Sequence, residues 1–500
     1  MDEEGIPASA RAGDDPPPDD TAPSARGVNA HLPPQTGGTL PTGLTAVGQR
    51  AELHADLTTG PLMPHIWRLA VPSMAQSALN SSYHAVNTYF IAQLGTVAQA
   101  AMGVFGYFFM IIIFLNQIIG LGSFTIIARS FGAKDFAETR RAIGQTFMLK
   151  FVMAGIAAVL GVLLIRPAYI AFGSEPAVAD MGSAYGVIFF ASLPLFFSGY
   201  TLNTSFRAIG DMVTPLWITA VSVVINLFLD YVLIFGKFGA PALGIRGAAV
   251  ATVIAQVWIL SAGFVVFVSG RTFLRLTASD LLQLSWSWTK RILRIGVPAA
   301  VGENAYQLGN LMIGYVINLM GTVVMAANAI VMPILAVLWI AVAGLGQAVM
   351  TLVGQNLGAK KPARSERSVH IGIGIGLLLG VAISAVSFAF APAFVSLFAK
   401  EEAVFALGCG IMRIATLSVL ISTVAGIISA AFWGSGYTRP PMVISILTMW
   451  CVQVPLVWAL VRWLGLSVYY IWWSGVIAAA MYLLLMWLLF RLGTWKRVRV

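Results

Sequence analysis

The second half of this 500-residue chain repeats the first half at a constant offset of 226 residues. The register holds over about 145 positions without an insertion or deletion. The paired segments are Val71-Pro72 with Val297-Pro298, Gly95-Thr96-Val97 with Gly321-Thr322-Val323, Gly120 with Gly346, Gly132-Ala133-Lys134 with Gly358-Ala359-Lys360, and Phe206, Gly210 and Pro215 with Phe432, Gly436 and Pro441. A repeat of this length predicts two copies of one structural unit, packed around a pseudo-two-fold axis.

Composition places both units in a membrane. The chain is 58% hydrophobic and only 10% charged, with a mean hydropathy of +0.84, whereas a soluble domain has about 25% charged residues. Its apolar runs do not alternate with polar residues, which excludes the strands of an outer-membrane barrel. The sequence therefore predicts an all-α integral membrane protein with spans of about 20 residues.

The hydropathy pattern predicts twelve transmembrane helices, six in each repeat. The spans cover approximately residues 66–94, 98–129, 142–165, 178–206, 212–236, 245–269, 292–319, 322–354, 368–396, 403–432, 440–462 and 467–490. Because six is an even number, the repeats share one orientation, and their axis lies along the membrane normal. We expect two pseudo-symmetric six-helix bundles, an N-terminal lobe at 61–270 and a C-terminal lobe at 292–492, joined by a cytoplasmic linker at 271–291.

Charge distribution predicts the orientation of the chain. Loops after even-numbered spans carry fifteen Lys and Arg residues, and loops after odd-numbered spans carry five. The positive-inside rule therefore places both termini on the cytoplasmic side of a bacterial-type inner (plasma) membrane.

Residues 1–60 have nine acidic and three basic side chains and few apolar ones, which predicts a disordered acidic cytoplasmic tail. Residues 493–500 form a short basic tail. The chain as a whole has a net charge of +10. Its basic residues are concentrated in the loops between membrane spans, so the charge does not indicate nucleic-acid binding.

No sequence motif indicates an enzyme. The chain lacks the HExxH, GxSxG and ATP-binding patterns, and Cys409 and Cys451 have no metal-site spacing. We therefore expect a non-enzyme without cofactors. Any uphill transport would depend on an ion gradient or a partner.

Two acidic residues lie inside predicted spans and away from their ends, and burial in a membrane is costly for each of them. Asp230 follows Asn226 by four positions, so both side chains share one helix face. This pair can bind Na⁺ or exchange a proton. Glu303 lies near mid-membrane in span 7. The alternative for both acids is a structural hydrogen bond to a neighbouring helix. Their repeat partners, Leu456 and Ser77, are uncharged, which favours function.

Three further side chains in the predicted spans are candidates for carrying a proton or pairing with these acids. His84 can carry a coupling proton, or it packs as a structural residue. Lys150 and Arg413 can pair with the buried acids, or their ammonium and guanidinium groups extend to the interface.

Five segments resemble the multidrug and toxic compound extrusion (MATE) family. They are Phe206–Pro215, Asn226–Gly236 (NLFLDYVLIFG), Leu243–Thr252 (LGIRGAAVAT), Phe131–Lys134 and Leu357–Lys360. The resemblance covers about residues 60–495. It implies an antiporter that couples H⁺ or Na⁺ entry to the export of amphipathic, often cationic drugs and xenobiotics.

The resemblance also implies a cation site in the N-terminal lobe. Asn203, Asn226 and Asp230 match three positions of that site. The span 1 position, acidic in the family, is Asn87 here. The only metal we expect is a possible Na⁺ at Asp230.

In the second lobe, the resemblance places the span 7 glutamate of one family branch near Tyr306, one turn after Glu303. The span 10 counterpart is Ser422. We expect a substrate cavity between spans 1, 2, 7 and 8, lined by the aromatic and Met side chains of Tyr83, Tyr107, Phe108, Tyr306, Met312 and Trp339. Glu303 and His84 are further candidates for substrate or proton binding, and Glu303 can instead contact the cation or only the neighbouring helices.

Three functions remain open from the sequence. The first is a monomeric exporter whose partners are small organic molecules and the lipid bilayer. The second is a lipid-linked oligosaccharide flippase of related architecture, which would need a strongly basic central cavity. The third is a membrane scaffold or sensor, in which Asp230 and Glu303 are dispensable.

Overall fold

The computed structural model describes residues 56–270, 274–281, 284–465, 467–498 and 500, and these residues form helices and loops without a strand. The predicted disordered segment up to residue 55 lies outside the described residues. The helices of the first repeat are α1 (Leu62–Ala92), α2 (Thr96–Gly132), α3 (Phe136–Ala171), α4a (Pro176–Ala191), α4b (Leu193–Ala208), α5 (Val213–Phe235) and α6 (Ile245–Val268).

The second repeat follows the same order. Its helices are α7 (Trp286–Leu319), α8 (Thr322–Gly358), α9 (Pro362–Ala389), α10 (Glu402–Ser435), α11, which starts with Arg439–Ile446 and continues through Leu447–Gln453, Val454–Val457 and Trp458–Trp463, and α12 (Tyr470–Arg491). Two short helices, Ala278–Leu281 and Ala391–Ser396, lie in the connections before α7 and after α9. The all-helical architecture predicted from the sequence is confirmed for the described residues.

Most of these helices fit a bilayer. Within the described residues, nine helices are long and apolar enough to cross a membrane, and α4a with α4b makes a tenth if the pair is one span. The first helix of each repeat, α1 with 31 residues and α7 with 34, is also long enough but more polar than the others. Polar residues in these two helices therefore need a protein or aqueous environment.

Two predicted spans depart from a regular helix. The span predicted at 178–206 is the pair α4a and α4b, bent by 54°. Pro194, in the first turn of α4b, has no N–H to continue the α4a ladder, which explains the break. In α11, Leu447–Gln453 and Trp458–Trp463 are π-helical, a conformation that hydropathy does not encode.

The boundaries predicted for the two tails also differ from the structure. Leu57 and Thr58 are buried, as is Trp495, although they belong to segments predicted as tails. A single large apolar side chain in a short polar segment gives no periodic pattern. The burial of Leu57 and Trp495 therefore could not be predicted from the sequence.

The two repeats, which we call the N lobe (α1–α6) and the C lobe (α7–α12), touch most closely where α2 and α8 end. A Cβ atom at Gly132 would overlap the carbonyl oxygen of Gln355, and one at Gly358 would overlap that of Arg129. The two contacts are related by the 226-residue offset. Lys134 and Lys360 follow these glycines, and we call this side of the molecule the basic face.

The same face is sealed by two further helix crossings. In α7, Gly296 packs against the carbonyl oxygen of Ile118 in α2, and in α8, a Cβ at Gly344 would lie 3.0 Å from the carbonyl oxygen of Ala70 in α1. These pairs are again 226 residues apart. Glycine allows such close approach because it has no Cβ. The lobes are therefore closed against each other at the basic face.

Candidate functional site

Asp230 lies in the middle of a polar cluster inside the N lobe. Its side chain is fully buried, and Asn226, one turn earlier in α5, is 1% exposed. In the amide orientation that satisfies both ends of Asn226, its nitrogen donates a hydrogen bond of 2.8 Å to Oδ2 of Asp230, and its oxygen accepts the backbone N–H of Thr252 in α6 at 3.1 Å. The predicted pairing of Asn226 with Asp230 on one helix face is thus present in the structure.

Two predicted site residues have a buried oxygen atom that accepts no hydrogen bond from the described residues. They are Asp230, at Oδ1, and Asn87 in α1, also at Oδ1. A buried acceptor without a donor costs free energy of about 1–3 kcal/mol. A proton on Asp230, or a Na⁺ ion held by carboxylate and amide oxygens, would remove this cost.

A second layer of polar side chains joins α1, α4b and α5. Gln76 donates from Nε2 to the hydroxyl of Thr219 at 3.0 Å and to Oδ1 of Asn203 at 3.5 Å. Asn203, a predicted site residue, therefore contacts α1 through Gln76. Gln76 and Thr219 were not among the site residues predicted from the sequence. A buried glutamine in an apolar helix was the available signal.

Tyr83 and His84 lie in α1 beside this cluster. The hydroxyls of Tyr83 and Thr252 are 3.5 Å apart, so Tyr83 reaches the residue that binds Asn226. The ring centroids of His84 and Tyr83 are 5.2 Å apart, but His84 is exposed at the surface of α1. Tyr83 therefore belongs to the Asp230 cluster, whereas His84 lies outside it.

Glu303 lies in α7 near the boundary between the lobes. It is half-buried, and the described residues provide no ion pair or hydrogen bond to its carboxylate. The next residue, Asn304, donates to Oε1 of Gln117 in α2 at 2.9 Å and so connects the lobes. Glu303 thus offers an unpaired carboxylate next to an interlobe contact.

The other candidate substrate residues are largely exposed. The exposed fraction is 43% for Tyr306, 38% for Met312, 38% for Trp339 and 51% for Tyr107. Tyr107 stacks on Phe172 at the end of α3, with ring centroids 5.9 Å apart. No described contact links these four side chains to one another. The substrate cavity that they would line therefore stays a prediction.

Lys150 and Arg413, the two basic candidates from the sequence, do not form a basic cavity. Lys150 is fully buried, donates to Oδ1 of Asn116 at 2.6 Å and lies 4.7 Å from the Tyr200 ring centroid. Arg413 lies 5.6 Å from the ring of Phe388 in α9. The basic central site that a lipid-linked oligosaccharide flippase needs is therefore not built from these residues, and that alternative is not favoured.

Comparison with known sequences decides the family. The sequence profile of the MatE family matches residues 72–232 and again residues 298–459. Together the matches cover more than half of the chain, and they start 226 residues apart, like the repeat. The chain belongs to the MATE family. It is therefore a membrane transporter of the plasma membrane, with small-molecule substrates, rather than an enzyme.

Individual relatives of this MATE protein match nearly its whole length. It is 28% identical to the probable multidrug resistance protein YoeA of Bacillus subtilis, over 87% of this chain and 96% of the relative. It is 25% identical to the probable multidrug resistance protein NorM of Thermotoga maritima, over 86% and 92%. A solved structure described as the outward-facing conformation of a multidrug resistance MATE family transporter has a TM-score of 0.81 at 21% identity, covering 89% and 99%.

Proposed function

We propose that this MATE protein is an antiporter that couples entry of H⁺ or Na⁺ to the export of amphipathic, often cationic drugs and xenobiotics. The observation that carries the proposal is the buried carboxylate of Asp230. One of its oxygens is hydrogen-bonded to Asn226, and the other has no hydrogen-bond partner among the described residues. The names of the multidrug resistance relatives support the substrate class.

The proposed coupling follows from the unpaired Oδ1 of Asp230. A cation bound there neutralises the carboxylate and provides the missing contact. Under the proposal Asn87 of α1 supplies a further oxygen ligand, so the cation stabilises the arrangement of α1 against α5 and α6. The cation shifts the equilibrium between inward-open and outward-open states only as far as it binds them differently. Substrate would bind between the lobes, near the unpaired carboxylate of Glu303.

The proposal includes twelve membrane spans in two lobes related by an axis along the membrane normal. Under it, α1 and α7 are spans despite their polarity, because they carry Asn87 and Glu303 at the transport pathway. The basic face is then cytoplasmic, in agreement with the positive-inside rule. We propose that one chain is the transport unit, since each lobe supplies one face of the pathway.

The test is uptake of a fluorescent organic cation into inverted vesicles, which corresponds to export from the cell, under a pH gradient alone and under a Na⁺ gradient alone. Wild type, Asp230→Asn and Asp180→Asn are compared at equal membrane insertion. Asp180 is a matched control because its exposed carboxylate pairs only with Arg166, at 3.0 Å. We expect transport to follow one gradient and to fall at least about tenfold in Asp230→Asn, the factor that corresponds to about 1.4 kcal/mol.

Two results would contradict the proposal. Full export by Asp230→Asn would remove the carboxylate from the coupling reaction. Absence of export by well-inserted wild type under both gradients would favour the scaffold interpretation, in which the acidic residues are dispensable.

A further inference from the structure

Two short chain segments cross from one lobe to the other on the basic face. We define the N-strap as residues 56–60, which precede α1, and the C-strap as residues 495–498 and 500, which follow α12. The fold does not require either crossing, because each segment could remain against its own lobe. Their contacts therefore point to a function at the lobe interface.

The N-strap is fixed to its own lobe and held by the other. Oδ2 of Asp56 lies 3.3 Å from Nζ of Lys134, in the loop between α2 and α3. The backbone carbonyls that follow accept hydrogen bonds from cationic side chains of the C lobe. Lys361 donates to Thr58 at 2.8 Å, and Arg364 donates to Thr59 at 2.6 Å.

The C-strap makes the reciprocal crossing. Its Trp495 is fully buried and stacks on Phe490 of α12, with ring centroids 5.3 Å apart. The carbonyl of Val498 accepts a hydrogen bond of 2.8 Å from Arg129 in α2 of the N lobe. The carbonyl of Val500 accepts one of 2.7 Å from Arg291 of α7.

Each strap also places an apolar side chain against a glycine of its own lobe, in a space that we call a notch. The two glycines are equivalent positions of the repeat. A Cβ atom at Gly210 would lie 2.8 Å from Cδ1 of Leu57, and one at Gly436 would lie 2.7 Å from Cγ2 of Val500. Gly210 and Gly436 are repeat partners, 226 residues apart, and both have positive φ angles, 91° and 82°. The two ends of the described chain, which have unrelated sequences, therefore occupy the same position in the two lobes.

We infer that the N-strap and the C-strap are paired latches that hold the lobes together at the basic face, and that both must detach before this face opens. A latch of this kind sets the population of the state open at the basic face without touching the cation or the substrate. The inference rests on the proposed movement of the lobes. It does not depend on which ion or drug is carried.

The test measures opening directly, with the full chain purified in lipid nanodiscs. Cys409 and Cys451 are replaced by Ala, and Ser435→Cys provides a reporter thiol in the closed lobe contact, where Ser435 is fully buried. The reaction rate with a bulky maleimide is compared between this background and Lys361→Gln/Arg364→Gln, which releases the N-strap. The exposed Arg367→Gln, on the same helix, is the matched control.

The reporter lies beside the C-strap, so local loosening of the N-strap cannot expose it. We expect the double variant to raise the labelling rate at least about tenfold, since hydrogen bonds to charged groups are lost, and Arg367→Gln to leave it unchanged. Leu57→Ala, which empties the Gly210 notch without changing charge, provides a second release and should act in the same direction.

An unchanged rate in both release variants, with the thermal stability of each variant confirming its fold, would overturn the inference. The inference would also be overturned if labelling rose only in Arg129→Gln, which releases the C-strap beside the reporter. Each strap would then hold only its own surroundings, and the two would not act together. Labelling requires no transport, so a protein that opens normally but exports nothing would contradict the proposed function and leave the latches in place.

Discussion

The hydroxyl of Thr351 in α8 donates a hydrogen bond of 3.2 Å to the backbone carbonyl of Arg207 at the end of α4b. Its repeat partner Thr125, in α2, donates one of 2.6 Å to the carbonyl of Trp433 at the end of α10. Residues 207 and 433 are also 226 positions apart. The lobes are thus joined at the basic face by two equivalent hydrogen bonds, one donated by α8 of the C lobe and one donated by α2 of the N lobe.

We predict that Thr351→Val and Thr125→Val weaken the closed state by similar amounts, about 1 kcal/mol each, because each leaves one buried carbonyl with one donor fewer. The measurement is the labelling rate of Ser435→Cys, which should rise about fivefold in either variant. Thr146→Val is the matched control, since the hydroxyl of Thr146 bonds within its own helix, to Ala142 at 2.6 Å. A response of only one of the pair would show that the two contacts are not equivalent.

The sequence repeat predicts two copies of one structural unit, but it does not predict which contacts join them. Hydropathy located the helices, because long apolar runs have one stable structure in a bilayer. The bend at Ser192 and the π-helical part of α11 depend on local backbone hydrogen bonds, which periodicity does not encode. The docking of Leu57 and Trp495 depends on notches that form only when both lobes are assembled.

The candidate site was predictable where a buried charge stands alone in an apolar helix. Asp230 and Asn226 share a helix face, and the structure joins them by a hydrogen bond. Gln76 and Thr252 were missed because neutral polar residues are common in membrane helices, and only the packing of α1 against α5 and α6 brings them to the cluster. The exposed Tyr107 was assigned to a cavity on its residue type alone.

The glycines at the helix crossing are expected to be sensitive to one added methyl group. Gly132→Ala or Gly358→Ala would place a Cβ atom on a carbonyl oxygen of the opposite lobe. We expect each to destabilise the closed form by about 1–3 kcal/mol, seen as a lower melting temperature in detergent. Gly155→Ala, where a Cβ has no neighbour within 4 Å, should be neutral or slightly stabilising in a helix. Equal stability of all three variants would contradict the close contact.

The attachment of the N-strap should depend on pH through Asp56. Burial raises the pKa of Asp56, but hydrogen bonds from Thr58 and the charge of Lys134 lower it by more, so the net pKa lies below its ordinary value of 3.8. A lowered pKa in the folded state means that the contribution to stability is complete above about pH 5 and disappears as the pH falls through the folded-state pKa.

We therefore expect Asp56→Asn to be less stable than wild type at pH 7, by less than about 1 kcal/mol because the pair with Lys134 is partly exposed. The difference should vanish in acid, below the folded-state pKa. Melting temperatures of both proteins across this pH range provide the measurement, with Asp180→Asn as the control for a fully exposed ion pair. A difference that persists at the lowest pH would assign the effect to packing rather than to charge.

Glu303 gives the sharpest prediction about substrate. Its carboxylate is half-buried and has no cationic partner among the described residues, so a cationic substrate in the cleft would be the group that pairs with it. Glu303→Gln keeps the shape of the side chain and removes the charge. We expect the KM for a monovalent organic cation to rise about tenfold, equivalent to about 1.4 kcal/mol, and the KM for an uncharged amphipathic substrate to change little. Glu402→Gln, at the exposed start of α10, is the matched control. Equal losses for charged and uncharged substrates would show that Glu303 acts on the helix packing around Asn304 and Gln117 instead.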